Sequence, residues 1–157
     1  MFISEVGIIL NGVSILNHIY DKGKNILAQN ADLRNSLLDA ILKMSAAVLN
    51  EEIHHFTFKK YKLFIKTSTL KATKTSNVVK FGQITDLVIY CIGDTELNQN
   101  IISPLLASIE EEFIKMYPDV ADNPSGDISQ YYKFVPTFDR ILSDLGASPQ
   151  DRFEDLF

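Results

Sequence analysis

The chain predicts a mixed α/β (α+β) fold, and three observations carry that expectation. Alternating apolar residues flank Asn11-Gly12 near the start, the run Asp86–Ile92 is apolar on both faces, and three helical stripes are spaced along the rest. The predicted order is hairpin, helix, a three-strand run, then two helices. At 157 residues this is one domain with a core large enough to need no staple.

The hairpin comes first, over Glu5–Tyr20. Val6, Ile8 and Leu10 alternate with Glu5, Gly7 and Ile9. After the turn, Val13, Ile15, Asn17 and Ile19 alternate with Ser14, Leu16, His18 and Tyr20. Asn-Gly favours a type I′ turn because both central residues need positive φ. Asn30 or Asp32 then caps a helix whose stripe is Leu33, Leu37, Ile41, Met44 and Val48, widened by Leu38, Leu42 and Leu49.

Strands follow at Ile53–Phe58, Tyr61–Lys66 and Ile84–Ile92. The last is expected at the centre of the sheet, with helices on both sides. Between them, Thr67–Gly82 is rich in Thr, Ser and Lys, shows little periodicity, and reads as a long mobile loop. Gly93-Asp94-Thr95 opens the second helical pattern, with Ile101, Ile102, Leu105, Leu106, Ile109, Phe113 and Met116 on the buried stripe and Glu110-Glu111-Glu112 mainly on the wet face. Pro104 either begins that helix behind a Ser103 cap or kinks a longer one. The third pattern is Tyr131, Phe134, Val135, Phe138, Ile141, Leu142 and Leu145. Its regular helix is expected to begin near Pro136 and to end at Gly146. Residues 1–146 thus form the domain, and 147–157 an acidic tail ending in Phe153-Glu154-Asp155-Leu156-Phe157.

No motif for catalysis, phosphate cradling or dinucleotide binding occurs, so neither an enzyme nor a cofactor is expected. His54 and His55 are adjacent on a strand and point to opposite faces, so the pair does not hold a metal. His18 stands alone. Cys91, the only cysteine, lies in an apolar run and reads as core filler in a reducing, cytoplasmic setting. Neither a signal peptide nor a lipidation box is expected, since Met1-Phe2-Ile3-Ser4-Glu5 lacks a basic region and the end lacks a prenylation motif.

Charge is more informative. The net charge of −5 argues against a nucleic-acid partner. Seven lysines (Lys59, Lys60, Lys62, Lys66, Lys71, Lys74 and Lys80) lie in one stretch with no acid between Ile53 and Thr85, while acids dominate from Asp94 onward. That stretch suits an acidic protein face or an anionic membrane, and equally a solvated loop guarding an edge strand.

Taken in order, Glu5–Leu10 with Asn11-Gly12, Leu33–Leu49, Phe56–Leu63, Asp86–Asp94, Ile109–Tyr117 and Tyr131–Leu145 resemble the longin domain, a profilin-like fold related to the roadblock family. The resemblance implies a five-stranded antiparallel sheet, order β-β-α-β-β-β-α-α, with one helix on one face and two on the other. It also implies a non-enzymatic module of vesicle trafficking or small-GTPase regulation that works with a GTPase, a sister subunit or a second copy of itself. No SNARE coiled coil is expected. The family's partner groove lies between the first helix and the third strand. That places Ile53, His55, Phe56 and Phe58 at the interface, with Lys59, Lys60, Lys71 and Lys74 of the basic stretch as further contacts. The alternative is a peripheral membrane module that meets anionic lipid through its lysines. A small-molecule sensor is less suited to such uniformly apolar patterns.

Overall fold

The computed structural model describes residues 3–20, 53–57, 62–124 and 126–143. Its first element is the expected hairpin, β1 (Ile3–Leu10) and β2 (Val13–Ile19), with Asn11 at φ 50° and Gly12 at φ 79° in the turn. The simple alternation is broken twice. Ile8 pairs with Leu16 and Ile9 with Ser14, which leaves Ile15 as the extra residue of a bulge. Ile15 and Leu16 are adjacent in sequence, yet both lie in the core. Ser4 is the extra residue between the Ile3–Gly93 and Glu5–Ile92 pairs, and its hydroxyl donates to the Ile92 carbonyl. Bulges re-aim side chains in this way and increase local twist.

β3 (Ile53–Thr57), β4 (Lys62–Lys71) and β5 (Ile84–Gly93) complete an antiparallel sheet of order β2-β1-β5-β4-β3, so the fold is α+β and β5 is central. β4 corrects the sequence reading. It continues through Thr67–Lys71, which pair with Ile84–Val88, so the excursion expected from Thr67 begins only at Ala72. Polar Thr and Ser hide the strand from a hydrophobicity pattern. The central strand opposite supplies the pairing, and Thr is in any case a good strand residue.

One sheet face carries the main core. Val6, Ile8, Leu10, Phe64, Leu87, Ile89 and Cys91 pack with Ile102, Leu106, Ile109 and Phe113 of α1 (Gln99–Met116). A 3₁₀ helix (Ile128–Phe134) and α2 (Val135–Ile141) close the same face through Tyr131, Phe134 and Phe138. Phe113 contacts Tyr117, Tyr131 and Phe134 at ring separations of 5.0, 5.7 and 5.5 Å. The helices start where backbone chemistry allows. Asn98 caps α1 by accepting from the Ile101 N–H, later than the expected start at Gly93-Asp94-Thr95. Pro104 lies inside that longer helix, and Pro136 sits in the first turn of α2, where its missing N–H costs nothing. Met116, expected in the stripe, is exposed in the last turn.

The opposite face is buried as well. Glu5, Ile9, Leu63, Ile65, Val88, Tyr90 and Ile92 alternate with the core positions and are almost fully covered. Gly7 pairs with Tyr90, whose ring lies over the glycine, and the Tyr90 hydroxyl donates to Glu5 Oε2 at 2.6 Å. The expected helix Leu33–Leu49, the Gly146 stop and the 147–157 tail lie outside the described residues. Among the described residues no helix is long and apolar enough to cross a membrane.

Candidate partner-binding surface

The residues expected to meet a partner fall into two groups. Ile53, His55 and Phe56 are on edge strand β3, paired with Lys66, Phe64 and Leu63. His55 is exposed, with its ring 6.0 Å from that of Phe64. Phe58, Lys59 and Lys60 lie outside the described residues. Lys71 ends β4 and Lys74 follows in the next loop, both exposed. Seven strand positions separate Phe64 from Lys71, about 23 Å at the antiparallel rise. Among the described residues, the β3 pairing and Lys71 thus lie at opposite ends of β4.

It shows something the sequence did not. β3 covers only Lys62–Lys66 of its neighbour. Beyond that point, Thr67–Lys71 is held by β5 on one side, and among the described residues no strand pairs with it on the other. A half-open strand presents backbone donors and acceptors to any segment that can extend the sheet.

The lysine stretch also divides. Lys62 Nζ donates to the Leu97 carbonyl at 2.8 Å. Lys66, read as part of a solvated basic run, is buried and sits 2.6 Å from Glu110 Oε2, an acid expected on the wet face. These two cations serve the fold. Lys71, Lys74 and Lys80 remain exposed around the β4–β5 loop.

That loop, residues 72–83, has a defined internal structure. Ala72 N–H donates to the Gln83 carbonyl and Gly82 N–H to the Ala72 carbonyl, so the stem prolongs the two strands. Ser76 Oγ accepts from the N–H groups of Val78 and Val79, and Thr75 Oγ1 accepts from that of Phe81. Asp122 clamps the loop from outside, accepting from the Thr73 N–H at 2.6 Å and the Thr73 hydroxyl at 2.7 Å. The hydroxyl bond first, then the backbone bond, holds the Asp122 carboxyl below the usual aspartate range. A depressed folded-state value stabilises the fold above the ordinary aspartate pKa, and this contribution disappears as pH falls through the folded value. Asp122→Asn is therefore expected to unfold at lower urea than wild type at neutral pH. The two midpoints should converge well below about pH 4. Urea titrations at both pH values check this, and a gap that persists in acid would contradict it.

At the other edge, Asp139 on α2 accepts from the Tyr20 hydroxyl at 3.0 Å and lies 3.5 Å from His18 Nε2. His18, read as standing alone, thus helps tie β2 to α2, with its ring 4.6 Å from that of Tyr20. Cys91 is buried in the core and its thiol pKa is pushed up by desolvation, which disfavours the nucleophilic thiolate. Among the described residues no group of three His, Cys, Asp or Glu side chains is placed to hold a metal ion.

The surface that emerges offers backbone groups, three exposed cations and an exposed edge histidine. In comparison with known proteins, the chain matches no family model and no curated sequence.

Proposed function

We propose that this chain is a longin-like, non-enzymatic interaction module that works beside a small GTPase or a sister longin or roadblock subunit in the cytoplasm. The observation that carries this reading is the β4 edge at Thr67–Lys71, unpaired on one side among the described residues, in an antiparallel sheet whose described C-terminal helices lie on one face. In this reading the whole chain follows the order β-β-α-β-β-β-α-α over five strands. The second face is almost fully buried, as a covering layer in that order requires. A partner segment, or the same edge of a second copy, adds to the sheet beside Thr67–Lys71, and Lys71 and Lys74 steer an acidic partner toward it.

Light-scattering mass of the purified protein, alone and mixed with candidate small GTPases from the same cell, tests the proposal. The expected result is a defined dimer or a stable complex of added mass. A strict monomer that ignores every GTPase and sister subunit would overturn it.

A further inference from the structure

The end of the sheet that carries the β4–β5 loop has a composition that a protein-binding edge does not require. Phe81 is 74% exposed, and Val78, Ile84 and Val13 are each more than half exposed. Asn11 N–H donates to the Asp86 carbonyl and Asn11 Oδ1 accepts from the Asp86 N–H, both at 2.8 Å, so the β1–β2 turn is fixed beside the start of β5. Val13 of the hairpin and Ile84 of β5 therefore belong to the same end of the molecule as the loop. Lys71, Lys74 and Lys80 flank these apolar side chains, and no acid occurs between Lys71 and Thr85. The nearest acids by sequence and contact are Asp86, which is exposed on β5, and Asp122, whose two oxygens are taken by Thr73.

The loop is built to present these groups. Ala72 and Val79 are its buried anchors. Gly82 at φ 80° turns the chain directly after Phe81, and the hydrogen bonds to Thr75 and Ser76 fix the backbone of Phe81 and Val78. A protruding aromatic flanked by lysines matches the bilayer interface, where ring and aliphatic groups enter the acyl boundary and long cationic side chains stay with the headgroups. It matches a protein groove less well, because the apolar groups stand on a loop and at the first residues of two strands rather than on one continuous face.

We propose that this end of the molecule is a membrane-docking site for anionic lipid, with Phe81 and Val78 as the inserted residues and Lys71, Lys74 and Lys80 as the headgroup contacts. Lys71 and Lys74 lie where this site meets the partner edge along β4, so anionic lipid and an acidic partner draw on the same two lysines, whereas Phe81, Val78 and Lys80 belong to the membrane site alone.

The natural chain contains no tryptophan, so Phe81→Trp supplies a single reporter. Its emission is expected to shift to the blue on adding vesicles of phosphatidylcholine with about one-third phosphatidylserine, and to stay unchanged with phosphatidylcholine alone. Cosedimentation of the wild-type protein should weaken at high salt. Replacing all three lysines by Gln should weaken it about a hundredfold, from roughly fivefold per lysine. Phe81→Ser should cost about tenfold. All four side chains are exposed, so unchanged thermal melts are expected to accompany these losses. Wild-type protein that fails to sediment with the anionic vesicles at low salt, or Phe81→Ser that sediments as wild type does, would overturn the proposal.

Discussion

Lys66→Met is expected to destabilise the protein by about 3 kcal/mol or more, and most of that loss should be recovered by adding Glu110→Leu. The physical reason is the setting of the pair. The two side chains are only 10% and 20% exposed and meet at 2.6 Å between β4 and α1. Methionine keeps much of the stem's packing but removes the cation, leaving a carboxylate against an apolar sheet. Glu110 Oε2 is buried and accepts no hydrogen bond from the described residues, so the Lys66 cation is what offsets its burial. A surface ion pair would contribute at most about 1 kcal/mol, and its removal would not need a second substitution to repair it. Urea unfolding of the two single variants and the double variant separates the cases. Losses below about 1 kcal/mol in Lys66→Met would return the pair to the surface class.

Gly7→Ala is expected to cost about 3 kcal/mol, the upper part of the usual range for overpacking a core. A Cβ at position 7 would come to 2.4–2.5 Å from the Tyr90 ring and hydroxyl, which no real contact tolerates. The ring cannot swing clear cheaply. Its hydroxyl is held by Glu5 Oε2 at 2.6 Å, and moving it would weaken a buried hydrogen bond. The glycine is therefore required by close approach across the β1–β5 pair rather than by backbone conformation. In a Tyr90→Leu background the added cost of Gly7→Ala should fall below about 1 kcal/mol, the coupling expected of residues in direct contact. Equal costs in both backgrounds, measured by chemical denaturation, would show that the ring is not the obstacle.

Much of this architecture was legible because local rules and tertiary structure agree. Asn11-Gly12 has no better use than a turn with two positive φ angles, and the apolar run Leu87–Ile92 is indeed the central strand. Pro136 marks the start of α2 for the reason its chemistry suggests. The misses share a different cause. Thr67–Lys71 is a strand because β5 lies beside it, a fact its own polarity conceals. The bulges at Ser4 and Ile15 defeat period-two counting, which is how neighbours in sequence come to share a core. Lys66 with Glu110, and His18 with Asp139, join residues from distant elements, and no spacing rule links them. The lysine stretch was treated as one unit in sequence. Folding ties half-buried Lys62 and buried Lys66 to other elements and leaves Lys71, Lys74 and Lys80 outside. Exposed Phe81 carried a signal that could have been noticed, an aromatic beside Gly82 in an otherwise polar run.

The central place of β5 has a consequence for how the molecule comes into being. Among the described residues, the β1–β2 and β3–β4 pairs are ribbons that touch no common strand except β5, the last of the five in sequence. Until residues 84–93 have left the ribosome, the nascent chain holds two separate hairpins, and an isolated hairpin is marginal in water. β1 must wait for a partner roughly 80 residues downstream, so its chain-closure entropy is paid late. Folding should consequently be a single, slow event with high contact order. The exposed edges of both waiting hairpins make the unfinished chain, more than the finished protein, the species most in need of a chaperone.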